Sequence, residues 1–107
     1  MLRKYVDKLI EKNGIERQSI VAMEECSELQ KAISKALRYE QGDRFVADNQ
    51  REDLIEEIVD VIFCIEQLKV MYSIDEEEIE KVKKEKEERT LKRNGIIWNS
   101  RESKRRL

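Results

Sequence analysis

The sequence predicts an all-α protein that folds as one domain. Its 107 residues include three glycines and no proline, and charged residues make up 43% of the chain. Such a composition favours long helices over a sheet. Apolar residues recur at helical spacing in four segments, three of which end near a glycine. We therefore expect a four-helix-bundle-like, oligomeric protomer over residues 1–95, followed by a C-terminal tail over residues 96–107.

The first two helices are predicted on either side of Asn13-Gly14, which provides a left-handed stop. The first covers about Leu2 to Lys12, and the second runs from about Glu16 to Tyr39, where Gln41-Gly42-Asp43 ends it. The second helix has an apolar stripe that we expect to face the core. Its members are Ala22, Cys26, Leu29, Ile33 and Leu37.

The third predicted helix contains the most apolar run of the chain. It begins at Asn49-Gln50-Arg51-Glu52, which has the form of a capping box, and reaches Met71 or Tyr72. From Ile58 to Ile65 the only charged residue is Asp60. A helix that is apolar around most of its circumference belongs at the centre of a bundle or an interface. The expected core stripe comprises Leu54, Ile58, Val61, Ile65 and Leu68.

The fourth predicted helix is highly charged and covers about Glu76 to Lys92. Ser73 or Asp75 is expected to cap it, and Asn94-Gly95 ends it. Most of its acids have a base four residues later, which predicts ordinary surface pairs: Glu77 with Lys81, Glu80 with Lys84, Glu85 with Arg89, and Glu88 with Lys92. In the tail, Trp98 either packs on a partner subunit or stacks on a base, and the basic end is solvated.

Charge and cysteine content narrow the choice of partners and compartment. The net charge is −2, so no overall basic field would recruit a nucleic acid polymer. Cys26 and Cys64 form no CxxC pair and the chain has no histidine, which argues against a zinc site. Both cysteines are expected in the core of a cytoplasmic protein. No apolar run is long enough for a signal peptide or a membrane span.

Two acidic motifs occupy positions at the edge of the apolar stripes. Glu24-Glu25-x-x-Glu28 lies on the second helix, and Glu57-x-x-Asp60 lies on the third. Of these acids only Glu28 has a base three or four residues away, which is Lys31. A carboxylate in apolar surroundings costs roughly several kcal/mol unless it is neutralised or holds a cation.

Antiparallel second and third helices would bring the two motifs together across one cavity. Carboxylates without histidine favour a hard cation, Mg²⁺ or Mn²⁺. Because Mg²⁺ tends to bridge carboxylates to phosphates, the implied ligand is a polyphosphate. The alternative is a non-catalytic helical oligomerisation module, in which the acids set only partner choice or register.

The two motifs resemble the signature of the MazG-like all-α nucleoside triphosphate pyrophosphohydrolases, which is EExxE followed after a variable gap by ExxD. The likeness is greatest to short phage-like and bacterial members, and it extends to Gln18, Ala22, Leu29 and the block from Glu56 to Val61. It implies Mg²⁺-dependent cleavage of a nucleotide substrate between its α and β phosphates, giving the monophosphate and pyrophosphate. A relative of similar helical form acts on phosphoribosyl-ATP, which is the alternative substrate.

The resemblance also implies roles for individual residues. Glu25, Glu28, Glu57 and Asp60 would be metal ligands, and Glu24 would be an auxiliary acid of the catalytic site. On the fourth helix, Lys86, Arg89 and Arg93 share a face, and a similar pattern in related short members makes them candidate phosphate contacts. The alternative is that these bases are solvated surface charges.

The third helix also predicts self-association. A thin protomer cannot cover a helix that is apolar on nearly all sides. We therefore expect a homodimer or a homotetramer, with the third helix near the interface and the nucleotide pocket lined by more than one subunit.

Overall fold

A computed structural model describes residues 1–42 and 49–97, and within these residues the chain is helical without a strand. The helices are α1 (Arg3–Asn13), α2 (Ile15–Glu40), α3 (Gln50–Met71) and α4 (Glu76–Arg93). The predicted all-α class is confirmed, and each predicted helix is present within one or two residues at either end. Asp43 of the predicted turn and Trp98 of the tail lie outside the described residues. None of the described helices is long and apolar enough to cross a membrane.

The chain divides into two compact units, Met1–Ser73 and Ile74–Leu107. The first unit contains α1, α2 and α3. The second contains α4, which begins with a capping box: the Asp75 carboxylate accepts a hydrogen bond from the Glu78 backbone N–H at 2.8 Å, and the Glu78 carboxylate accepts one from the Asp75 N–H at 2.9 Å. Of the two predicted caps, Asp75 is therefore the correct one.

The capping box predicted at the start of α3 is wrong. Asn49 precedes α3, but its side chain makes no capping hydrogen bond. Its φ of −91° and ψ of 14° are not the extended conformation from which an N-cap side chain reaches the N–H groups of the first turn. By contrast, Gly14 has the predicted positive φ, 87°, and its N–H closes α1 on the Ile10 carbonyl at 2.7 Å.

Helices α2 and α3 form an antiparallel pair in the first unit. At one end the Gln18 side chain donates a hydrogen bond to Gln67 at 2.7 Å, and the Ser19 and Tyr72 hydroxyls lie 2.8 Å apart. The core is thin, and no described side chain is fully buried. Its apolar members are Val6, Ala22, Ala32, Cys64 and Met71.

The stripe predicted on α3 is correct only in part, because Leu54, Val61 and Leu68 are half-buried as expected. Ile58 and Ile65 were expected in the core, yet they are 43% and 47% exposed. The face toward α2 instead carries, at helical spacing, Glu57, Asp60, Cys64, Gln67 and Met71. Because apolar residues surround most of α3, their spacing alone could not identify the side that faces inward.

The stripe predicted on α2 is also displaced. Ala22 is buried and Leu29 is half-buried, as expected, but Ile33 and Leu37 are exposed. The prediction that both cysteines lie in the core is correct for Cys64 and wrong for Cys26, which is exposed.

Candidate metal centre

Three carboxylates from two helices converge in the first unit. Glu25 comes from α2, whereas Glu57 and Asp60 lie one turn apart on α3. One carboxylate oxygen of each lies within 4.8 Å of the others, and all three residues are half-buried. The antiparallel pairing of α2 and α3 thus brings part of the EExxE motif opposite the ExxD motif. An oxygen cluster of this size can hold a metal ion.

The surroundings of the cluster disfavour negative charge. Partial removal from water raises the pKa of Glu25 above its ordinary value of 4.5, and the charges of Asp60 and Glu57 raise it further. Loss of water likewise raises the pKa of Glu57, with added contributions from Asp60 and Glu28. The Oε2 atom of Glu57 is buried and accepts no hydrogen bond within the described part of the chain. Such an oxygen is stabilised either by a proton or by a cation.

Glu28 lies at the rim of the cluster, outside the three converging carboxylates. It is exposed, and the Lys31 ammonium donates a hydrogen bond to its Oε1 at 3.3 Å. Its charge nonetheless contributes to the raised pKa of Glu57, so the two carboxylates are neighbours.

Glu24 faces a different side of α2 from Glu25. It is exposed and helps to line an open groove of about 500 Å³ at the start of α2. Consecutive helical residues point about 100° apart, so adjacent glutamates cannot share one inward face. The other residues of the groove are Asn13, Glu16, Arg17, Ile20 and Val21.

Cys64 borders the cluster, whereas the sequence predicted only that it lies in the core. It lies four residues after Asp60, so the helical repeat places both on one face. Burial raises the pKa of its thiol, and the charges of Glu25, Cys26 and Asp60 raise it further. A thiol that resists ionisation is a weaker metal ligand than the neighbouring carboxylates. The donor set at this position is oxygen, which suits a hard cation.

The pairing of Gln18 with Gln67 is a second feature that was not predicted, although Gln18 is among the residues that resemble the MazG-like enzymes. Gln18 precedes Glu25 by seven residues, and Gln67 follows Asp60 by seven, so both share faces with the acids. That spacing could have identified them as neighbours of the site along the α2–α3 interface.

The candidate phosphate contacts all lie on α4, in the second unit. Lys86, Arg89 and Arg93 are exposed and share one face of the helix. The four ion pairs predicted along α4 are not present among the described residues, although ion pairs of the predicted type occur elsewhere, such as Arg3 with Asp7 and Lys31 with Glu28.

Comparison with protein families, with curated proteins and with solved structures gives no match for this chain. The functional assignment therefore depends on the residues of the site itself.

Proposed function

We propose that this protein is a divalent-metal-dependent hydrolase that cleaves a nucleoside triphosphate between the α and β phosphates. The products are the nucleoside monophosphate and pyrophosphate, as the resemblance to MazG-like enzymes implies. The observation that carries the proposal is the convergence of Glu25, Glu57 and Asp60 around a buried Glu57 oxygen that accepts no hydrogen bond from the described residues. Carboxylates in this position need a cation or a proton.

The donor set fits Mg²⁺ or Mn²⁺. Glu25, Glu57 and Asp60 would hold the cation, and Glu28 would join them once its side chain leaves Lys31. When bound, the cation supplies neutralisation of phosphate charge and lowers the pKa of a bound water.

The reaction itself consumes one water. Its oxygen bonds to phosphorus, the anhydride bond between the α and β phosphates breaks, and the bond electrons leave with pyrophosphate. The proton released from that water passes to solvent, because Glu25, Glu57 and Asp60 would all hold the cation. The role of Glu24 as an auxiliary acid is supported only by its place in the EExxE motif. Its side chain faces the groove on the other side of α2.

Lys86, Arg89 and Arg93 are proposed to contact the substrate phosphates. Their support is that three exposed bases share a face of α4, free to meet an anion. The two free cysteines suit a reducing cytoplasm, which we propose as the location.

The outward face of α3 supports self-association. Six apolar side chains on it are 37% to 49% exposed: Ile55, Ile58, Val59, Ile62, Phe63 and Ile65. Six partly exposed side chains are too few for a stable interface, which buries about 800 Å² on each partner. With the exposed apolar residues of α2, a second copy would reach that area. We therefore propose a homodimer or homotetramer whose helices complete four-helix-bundle-like cores.

The same apolar face supports a second candidate function, a non-catalytic helical oligomerisation module. In that case self-association would occur without any metal effect, because the acids would act only in folding or partner choice. Metal dependence therefore separates the two candidates.

The decisive experiment is pyrophosphate release measured with Mg²⁺ or Mn²⁺ across canonical, deoxy and modified triphosphates and phosphoribosyl-ATP. We expect the wild type to release pyrophosphate from at least one of them. Glu57→Gln should reduce the rate of pyrophosphate release by about a hundredfold or more. Substitution of a residue that only contacts a metal ligand already reduces activity or metal affinity by about 10- to 100-fold. Glu56→Gln is the matched control, because Glu56 is the adjacent acid and is exposed.

An absence of pyrophosphate release from every compound, with no effect of either cation on the melting temperature, would exclude the hydrolase. Equal losses in Glu57→Gln and Glu56→Gln would show that a general charge effect, and not the cluster, supports activity.

A further inference from the structure

The interface between α2 and α3 contains one buried polar pair. Gln18 and Gln67 are 5% and 6% exposed, and they are the buried polar residues of the described chain. The Nε2–H group of Gln18 donates to Oε1 of Gln67 at 2.7 Å. A buried amide is costly when it has no partner, so the two glutamines favour the helix position in which they meet.

The apolar contacts of this interface define the position of the helices only weakly. Ala22 and Ala32 are small, and Met71 has a flexible side chain that adapts to gaps of different shape. Cores of about the right volume but without close complementarity lose their unique arrangement before they lose stability. A different alignment of α2 and α3 would therefore keep much of the apolar burial.

The acidic cluster opposes the observed alignment when no cation is bound. Glu25, Glu57 and Asp60 have oxygens within 4.8 Å of one another, and like charges at this distance repel. A favourable contact elsewhere on the same two helices helps to offset this repulsion. The glutamine pair lies seven residues from Glu25 on α2 and seven from Asp60 on α3, which is about two helical turns.

We propose that the Gln18–Gln67 hydrogen bond sets the alignment of α3 along α2 and so holds Glu25 opposite Glu57 and Asp60 before a cation binds. The glutamines are positioning residues and do not touch the site. A shift by one helical turn moves α3 by about 5.4 Å, which would separate oxygens that now lie within 4.8 Å. The claim that the glutamine pair sets the helix alignment does not depend on the proposed function. The claim that this alignment affects metal binding rests on the proposed function.

The test replaces both amides by isosteric apolar side chains, Gln18→Met with Gln67→Met. We expect the double variant to keep its helix content and a melting temperature close to that of the wild type, because neither position then leaves a polar group unpaired. The dissociation constant for Mn²⁺ should rise at least tenfold. Interhelical nuclear Overhauser effects from the Ala22 and Ala32 methyl groups, measured without metal, should shift to other residues of α3.

Two further variants supply the controls. Ser19→Ala removes the exposed hydrogen bond to Tyr72 at the same end of the same helices, and it should leave Mn²⁺ affinity and the methyl contacts unchanged. Gln18→Met alone leaves the Gln67 amide unpaired, and it should lower the melting temperature more than the double variant does.

Wild-type methyl contacts and wild-type Mn²⁺ affinity in the double variant would overturn the inference. If the double variant does not fold, Gln67→Met is compared with Gln67→Glu, which keeps an acceptor oxygen for Gln18. If Gln67→Met and Gln67→Glu both kept the wild-type methyl contacts, the inference would equally be overturned. A wild type that binds no Mn²⁺ would refute the proposed function, and the methyl contacts alone would still decide the alignment.

Discussion

Replacing Asp60 by asparagine should have opposite effects on stability with and without a divalent cation. The substitution preserves shape and removes one of three neighbouring negative charges. The cluster oxygens lie within 4.8 Å of one another, so two of its charges repel by about 1 kcal/mol even in water-like surroundings, and by more where water is partly excluded. Without metal, Asp60→Asn should raise the melting temperature by about 4–8 °C.

A saturating cation should reverse that order. At a free Mn²⁺ concentration about one hundred times its dissociation constant, binding stabilises the wild type by about 2.7 kcal/mol. The variant lacks one carboxylate of the cluster and should gain little. Melting curves recorded in a chelator and in Mn²⁺ should therefore cross, with the variant more stable in the chelator and the wild type more stable in Mn²⁺. Glu56→Gln, an exposed change of the same charge on the same helix, should shift both curves alike.

Two results would refute this reasoning. A lower melting temperature of Asp60→Asn in the chelator would mean that Asp60 stabilises the fold by its own contacts, so that the site is not strained without a cation. An equal gain from Mn²⁺ in the wild type and the variant would mean that the ion binds somewhere else.

The remaining predictions concern pH, the outer face of α3 and the start of α4. The pKa values of Glu25 and Glu57 are raised in the folded state, so the folded protein binds protons more tightly than the unfolded chain does. Without metal, the free energy of unfolding should therefore fall as pH rises from 4.5 through the raised pKa values. Urea unfolding measures this slope, and a stability that rises over the same range contradicts it. Ile62→Lys places a charge on a residue that is 49% exposed. Light scattering should show a monomer, and the melting temperature should fall because the partner no longer adds to stability, whereas a monomeric wild type would refute the interface. Asp75→Ala removes the cap of α4 and should lower stability by about 1 kcal/mol in urea unfolding, and an unchanged midpoint would mean that the cap contributes nothing.

The helix boundaries could be predicted because local signals encode them. Gly14, Gly42 and Gly95 each follow a helix and adopt a positive φ, a conformation that costs glycine little. Asp75 caps α4 through its near neighbour Glu78. The cap at Asn49 was predicted from the same type of pattern and is wrong, because a matching sequence does not fix the backbone angles that the cap needs.

The candidate site was only partly predictable. Spacing by three residues places Glu57 and Asp60 on one face, and an antiparallel pair then brings Glu25 within reach. The direction in which α3 faces depends on packing against α2, which apolar spacing could not reveal. Glu28 lies on α2 beside the face that contacts α3. A small rotation of α2 about its axis therefore decides whether the Glu28 side chain points to the cluster or to Lys31.

Because of the orientation of α3, few substitutions in this helix should be tolerated. Its inner side carries the Glu57 and Asp60 carboxylates and the Gln67 amide, and its outer side carries apolar groups that are partly exposed to water. A helix exposed to bulk solvent normally has one side on which almost any polar residue is accepted. In α3 that side is reduced to a few exposed charges near its start, Arg51, Glu52 and Glu56, so a deep mutational scan should find fewer tolerated substitutions there than along α4.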